Sequence, residues 1–294
     1  MARLLQATVY GLLQGGLLAL VGVGFSLVWG VMNVVNVAQG AFVIAGAYVA
    51  WEVNAAFGLD PFAGMLVSAA ALFLLGYLLQ RLVINQVVNA PIWMTLLLTF
   101  GIELLLVNGM VLGLTGNLRS IATGYASRPL AFGAVRVPQG RLLGFAIAVL
   151  LTAAITLLMD RTRVGLAIRC TGMDRATARL MGINVRHVYA LTFAIAAALA
   201  GAAGAIVGTT GTFAPADAAQ FTLFSFVVAV LGGLGNPWGA LAGGLVLGVV
   251  EGIGGQYLSG TLVYALAFAV LVAVLVVRPT GLLGRPYYEF RAEV

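Results

Sequence analysis

Two carboxylates stand inside long apolar runs: Glu103 in LLLTFGIELLLVN and Glu251 in GGLVLGVVEG. An ionisable group in hydrocarbon is costly and marks a substrate, ion or proton path by default. The plainer alternatives are a Glu103 that is protonated or held by a neighbouring helix, and a Glu251 that sits near water at the interface. Three amides add to these carboxylates. Asn33, Asn36 and Gln39 fall in VMNVVNVAQG, inside the charge-free stretch 4–51, where an unpaired amide is unfavourable. A second stretch, Leu231-Gly232-Gly233-Leu234-Gly235-Asn236-Pro237-Trp238-Gly239, cannot continue a regular helix. Interrupted helices release backbone groups that line cavities, and transporters place substrate there. The residues selected for a path are therefore Asn33, Asn36, Gln39, Gly40, Gly235 and Asn236, with Glu103 and Glu251 as further candidates.

Other chemistries are excluded by composition. All 15 basic residues are Arg and none is Lys, so the chain can build neither a P-loop nor a Schiff base. One cysteine, Cys170, and one histidine, His187, allow no internal disulfide and no His- or thiolate-based metal site. No catalytic residue and no metal ligand is assigned.

The elements that must position these residues are membrane helices. Only 8% of the residues are charged and 62% are hydrophobic, which excludes a soluble enzyme, a disordered tail and a nucleic-acid binder. The runs 61–80, 82–102, 142–159, 187–216, 218–250 and 252–277 also carry no formal charge. The pattern predicts an all-α polytopic membrane protein of about 8–9 spanning or half-spanning helices. The helices are placed near 6–29, 36–53, 62–84, 92–114, 142–159, 188–209, 221–234, 237–253 and 261–278, in a single domain over 1–294. The first segment reads as a retained helix, not a cleaved leader. Residues 221–253 fit either two crossings or a re-entrant hairpin. Asn36…Gly40…Gly46 and Asn236…Gly239…Gly244 share a faint pattern, from an internal repeat or from small residues packing helices. Gly201-x-x-Gly204-x-x-x-Gly208 reads as packing.

Arg placement sets the orientation. Residues 160–187 hold Arg161, Arg163, Arg169, Arg175, Arg179 and Arg186, and the tail adds Arg285 and Arg291, so both segments are assigned to the cytoplasm. Alternation puts the N-terminus and the loop 115–141 outside, although that loop carries Arg119, Arg128, Arg136 and Arg141. Within 160–187 a helix is expected over Met173–Met181, with Gly182 as a left-handed cap. Arg175 and Arg179 share one face, and Ala178 is small enough to let another surface approach. The loop suits docking to a soluble partner, or else it fixes topology and binds lipid headgroups.

Four motifs resemble a known family. They are Asn36-Val-Ala-Gln39-Gly40 with Gly46-Ala47-Tyr48; Arg161-Thr162-x-x-Gly165-x-Ala167-x-Arg169 with Asp174, Ala178 and Gly182-Ile183-Asn184; Gly232-Gly233-x-Gly235-Asn-Pro-Trp-Gly239-Ala240; and Arg278-Pro279-Thr280-Gly281-Leu282-Leu283-Gly284. In this order they resemble the permease subunits of branched-chain amino acid ABC importers, of the LivH type. The resemblance implies an all-helical ABC-importer permease in a bacterial inner membrane. A second related permease would form a heterodimer with it, two cytoplasmic ATPases would bind ATP and magnesium, and a periplasmic binding protein would deliver substrate. It adds Tyr48 to the path. It also assigns ATPase coupling to Arg169, Asp174, Arg175, Ala178, Arg179, Gly182, Ile183 and Asn184. Cys170 and Ala41 depart from the family pattern. A related sugar or amide permease, and a standalone secondary carrier using Glu103, are the competing readings.

Overall fold

The computed structural model describes residues 2–126, 128–132, 135–258 and 260–284; Arg285 and Arg291 lie outside them. Helix α1, Ala2–Met32, spans 31 residues, about 46 Å at 1.5 Å per residue. It ends where Asn33 adopts a left-handed φ of 55° and its N–H bonds the Trp29 carbonyl at 2.9 Å, a conformation Asn tolerates. Helix α2, Gln39–Phe57, stops at left-handed Gly58. Helix α3, Pro61–Leu79, starts with Asp60 accepting from the Phe62 N–H and with Pro61 in its first turn, a pairing suited to a helix start. A π-turn over Gln80–Ile84 and a short turn over Asn85–Val87 extend it. Helix α4 is Ile92–Leu114 and helix α5 is Gln139–Arg161. Between them strand β1, Pro129–Phe132, pairs antiparallel with strand β2, Val135–Pro138. Two short helices follow, α6 over Arg163–Met173 and α7 over Arg175–Leu180. The long helices resume as α8, Val185–Thr210; α9, Ala218–Gly232; α10, Pro237–Tyr257; and α11, Gly260–Val277.

Eight helices among the described residues are long and apolar enough to cross a membrane, with α11 as a shorter apolar helix. Residues 221–253 fall in two helices, α9 and α10, joined by a tight turn, and each is long and apolar enough to cross a membrane. The expected helix at Met173–Met181 is shorter than read: Asp174 is extended and separates α7 from α6, an element the sequence reading missed. The left-handed Gly182 cap is present at φ 81°.

Glycines set the packing. A Cβ at Gly15 would lie 2.7 Å from the Gly244 carbonyl, and Gly11, Gly248 and Gly252 join the same backbone-to-backbone seam of α1 against α10. Such close approach replaces the hydrophobic driving force that lipid cannot supply. Gly201 and Gly204 do the same for α8 against α2 and α3: a Cβ at Gly46 would meet the Gly201 Cα at 2.5 Å. Helices α1, α2 and α8 are therefore the buried centre, while α3, α4, α5 and α11 carry exposed leucines and valines on their outer faces.

The two ends of the bundle differ in charge. The end with α6 and α7 carries eight Arg and two acidic residues among the described residues; the end with the hairpin carries five Arg and three. Two hairpin-end Arg side chains, Arg119 and Arg141, have local ring contacts. Arg119 lies 3.9 Å above the Trp51 ring and 5.9 Å from the Tyr48 ring. Its backbone pairs with Phe213 in both directions. Arg141 sits over Tyr10 at 4.9 Å, and the Arg136 backbone exchanges two hydrogen bonds with the Gln6 side chain. Cation–π contacts of this kind fix a guanidinium to an apolar surface.

Candidate functional site

Beyond Asn33 the chain turns back as an unwound segment, and α2 begins at Gln39 deep in the bundle, opposite Val21 of α1. Backbone groups freed in hydrocarbon must find partners. Two threonines supply them from opposite sides. The Thr99 hydroxyl of α4 donates to the Val35 carbonyl at 2.8 Å and accepts from the Val37 N–H at 3.2 Å. The Thr222 hydroxyl of α9 donates to the Val37 carbonyl at 2.7 Å and accepts from the Gly40 N–H at 2.9 Å. The amides close the floor. Asn36 Nδ2 donates to Gln39 Oε1 at 2.9 Å, and Gln39 Nε2 donates to the Val21 carbonyl at 3.3 Å. Among the described residues Asn36 Oδ1 is buried without a partner. Gly40 has no room for a side chain, because a Cβ there would overlap the Ala218 carbonyl and press on Thr222.

The interruption expected around Asn36, Gln39 and Gly40 is thus present, and the two threonines that hold it were missed. Their only signal was a hydroxyl in an otherwise apolar run, and Thr99 standing one helical turn before Glu103. Replacing Thr99 or Thr222 with valine removes two hydrogen bonds from buried backbone. Each variant is expected to cost about 1–3 kcal/mol, read as a lower melting temperature of the purified protein, with wild-type behaviour in both contradicting the latch.

The other path candidates lie elsewhere. Asn33 sits at the α6–α7 end, lining a cavity of about 230 Å³ with Met32, Asn89, Thr95 and Arg175. Tyr48 is buried nearer the hairpin end; its hydroxyl donates to the Thr115 carbonyl and its ring meets the Phe213 edge. Glu251 is half-buried on α10, next to the Gly252 contact with α1. Gly235 and Asn236 form the α9–α10 turn at the α6–α7 end. The Gly235 N–H donates to Ser26, and the Asn236 side chain caps α10 and donates to the Leu283 carbonyl. Leu282 and Leu283 N–H groups bond the Leu231 and Gly232 carbonyls. The third and fourth motifs therefore form one clasp, and Gly235 packs against Gly30 near the end of α1, three residues before Asn33.

The α6–α7 segment is built from caps. Thr162 accepts from the Gly165 N–H, Asp174 from the Ala176 N–H and the Thr177 hydroxyl, and Asn184 from the His187 N–H. Those bonds, the Thr177 hydroxyl's first, hold the Asp174 carboxyl below the usual aspartate range. Its cap is complete above that range and is lost only as pH falls through the lowered value. Arg169 pairs with Asp160 at 3.1 Å. The expected docking face needs correction. Ala178 is 2% exposed and packs inward, because the first turn of α7 lies against the body of the bundle. Arg175 is half-buried and donates to Asn89 Oδ1. Arg179 lines a cavity of about 410 Å³ with Asn85, Asn89, Ile183, Asn184 and Arg186. Met173 at the end of α6, Leu180 at the end of α7 and Met181 just after it are 77%, 87% and 78% exposed, beside the exposed Arg179.

Residues 7–275 match the family described as the branched-chain amino acid transport system permease component. The chain belongs to this family. The high-affinity branched-chain amino acid transport system permease protein BraD of Pseudomonas aeruginosa is 32% identical to this permease over 298 residues, covering 97% of each chain. The corresponding protein LivH of Escherichia coli is 32% identical over 307 residues, again 97% of each chain. LivM of Escherichia coli, a permease protein of the same kind of system, is 25% identical over 293 residues, 90% of this chain and 67% of LivM. No solved structure matches the permease.

Proposed function

We propose that this permease is the transmembrane subunit of a binding-protein-dependent, ATP-driven importer of branched-chain amino acids in a bacterial inner membrane. The α6–α7 end faces the cytoplasm, as its Arg excess requires. The chain has no Lys and so no P-loop; ATP and magnesium are bound by two partner ATPases, and this subunit is not itself an enzyme. A LivM-like second permease completes the membrane unit, and a periplasmic binding protein loads it from the hairpin end.

The observation that carries the reading is the exposed apolar patch of Leu180 and Met181 at the end of capped α7, with Met173 at the end of α6. An exposed apolar ridge rimmed by polar residues marks a protein interface. Asp174, Gly182 and Asn184 cap and bound the helix, Arg169 ties the preceding α6 to Asp160 of α5, and Arg175 and Ala178 tie α7 to the bundle. Ile183 and Arg179 form the cavity beside it. A push on this helix reaches the unwound segment along a short route: Arg175 contacts Asn89, and the 88–91 turn leads into α4, which carries Thr99. The substrate path follows Asn36, Gln39 and Gly40, with Asn33 at its cytoplasmic end. Two states that differ in the Thr99 and Thr222 contacts would expose the path to one side or the other.

The test is purification from native membranes under mild detergent. The reading expects two ATPase subunits and a second permease in the preparation. A chain that purifies without any ATPase and still transports would overturn it.

A further inference from the structure

Glu103 is the twelfth of the 23 residues of α4 and so lies at its middle. It is 8% exposed. Among the described residues it makes no hydrogen bond and no ion pair, the single ion pair being Arg169–Asp160. No basic residue occurs between Arg81 and Arg119. A carboxylate in that position is costly unless something cationic visits it. Its face of α4 carries Thr95, Thr99, Ile102 and Met110, and it stands one helical turn, about 5.4 Å, beyond the threonine that grips both neighbours of Asn36.

The side chains of this region are mostly occupied with the backbone and each other: the Thr99 hydroxyl donates to Val35, the Thr222 hydroxyl to Val37, Asn36 Nδ2 to Gln39 and Gln39 Nε2 to Val21. Among the described residues no donor is bonded to the Glu103 carboxylate or to Asn36 Oδ1. A buried carboxylate with no partner calls for a cationic donor. An ammonium is such a group, with three N–H donors and a positive charge. The apolar neighbours Ile102 and Met110 suit an aliphatic side chain.

We propose that Glu103 receives the ammonium group of the permeating amino acid beside the unwound segment. This rests on the importer reading and narrows its cargo to molecules with a free amine. Sugars and ketoacids lack the group that Glu103 recognises. A Glu103 that is simply a protonated packing residue makes the opposite forecast, because glutamine mimics it.

The experiment uses the assembled importer in proteoliposomes, with radiolabelled leucine on the binding protein. Wild-type uptake tests the importer reading by itself; its absence would sink that reading whatever Glu103 does. Given wild-type uptake, Glu103→Gln is expected to lower it by about tenfold or more at an unchanged yield of complex, while Glu103→Asp, which keeps the charge, restores most of it. Uptake by Glu103→Gln close to wild type overturns the proposal. Loss of wild-type uptake when choline replaces sodium also overturns it, by giving the carboxylate to a metal cation. Should Glu103→Gln fail to assemble, Glu103→Cys in a Cys170→Ala background is tested with a cationic thiol reagent. Protection by leucine-loaded binding protein is then expected, and its absence overturns the proposal.

Discussion

Changing Leu180 and Met181 together to aspartate is expected to uncouple the subunit from its ATPases. Leu180 ends α7, Met181 follows it, and both side chains are largely exposed, so folding should be spared. An interface concentrates its energy in a few well-packed anchors. Two carboxylates in place of two apolar anchors would leave buried charges unpaired across the interface. The expected loss of co-purifying ATPase is about tenfold or more, with the melting temperature of the isolated permease unchanged. The comparison with Arg175→Glu is informative. Arg175 bonds Asn89 within the chain, so that variant should lower stability as well as uptake. Full ATPase recovery with Leu180→Asp and Met181→Asp would mean that another surface carries the coupling.

The second large effect concerns Gly40. Its N–H is held by Thr222, and a side chain would run into the Ala218 carbonyl of α9. Both obstacles are anchored in helices, so neither can yield as the tip of a flexible side chain would. Gly40→Val is expected to cost about 3 kcal/mol or more and to leave no folded protein in the membrane fraction. Gly101→Ala is the control. It lies in α4 with nothing within 4 Å of an added Cβ, and helix propensity alone predicts a gain of up to about 1 kcal/mol. Normal accumulation of Gly40→Val would refute the close crossing of α2 and α9 on which the unwound segment depends.

Much of this architecture was legible in the sequence. The charge-free runs located the long helices, because burial in hydrocarbon is a constraint each segment meets alone. The amides of residues 33–39 marked the broken helix for the same reason. Gly232 to Gly239 were legible as a break, yet their depth was not. Depth is set by Ser26 of α1 and by Leu282 and Leu283 of the C-terminal clasp, all distant in sequence. Thr99 and Thr222 were unreadable because their role exists only once three helices meet. The helix read over 173–181 is confined to Arg175–Leu180, because Asp174 is extended and caps it, and its sequence could not tell which face turns inward. The sequence points to the Arg pair as the contact face, while the fold uses Arg175 and Ala178 to attach α7 and leaves Arg179, Leu180 and Met181 exposed. In the 115–141 loop, Arg119 and Arg141 look anomalous as charge and make sense as ring contacts with Trp51, Tyr48 and Tyr10.

The most direct measurement is leucine uptake into proteoliposomes holding this chain with its partner permease and two ATPases. A branched-chain importer takes up leucine only when ATP is enclosed with the ATPases and the binding protein is supplied on the other side. Uptake by this chain alone, driven by an ion or proton gradient and indifferent to ATP, would contradict the account.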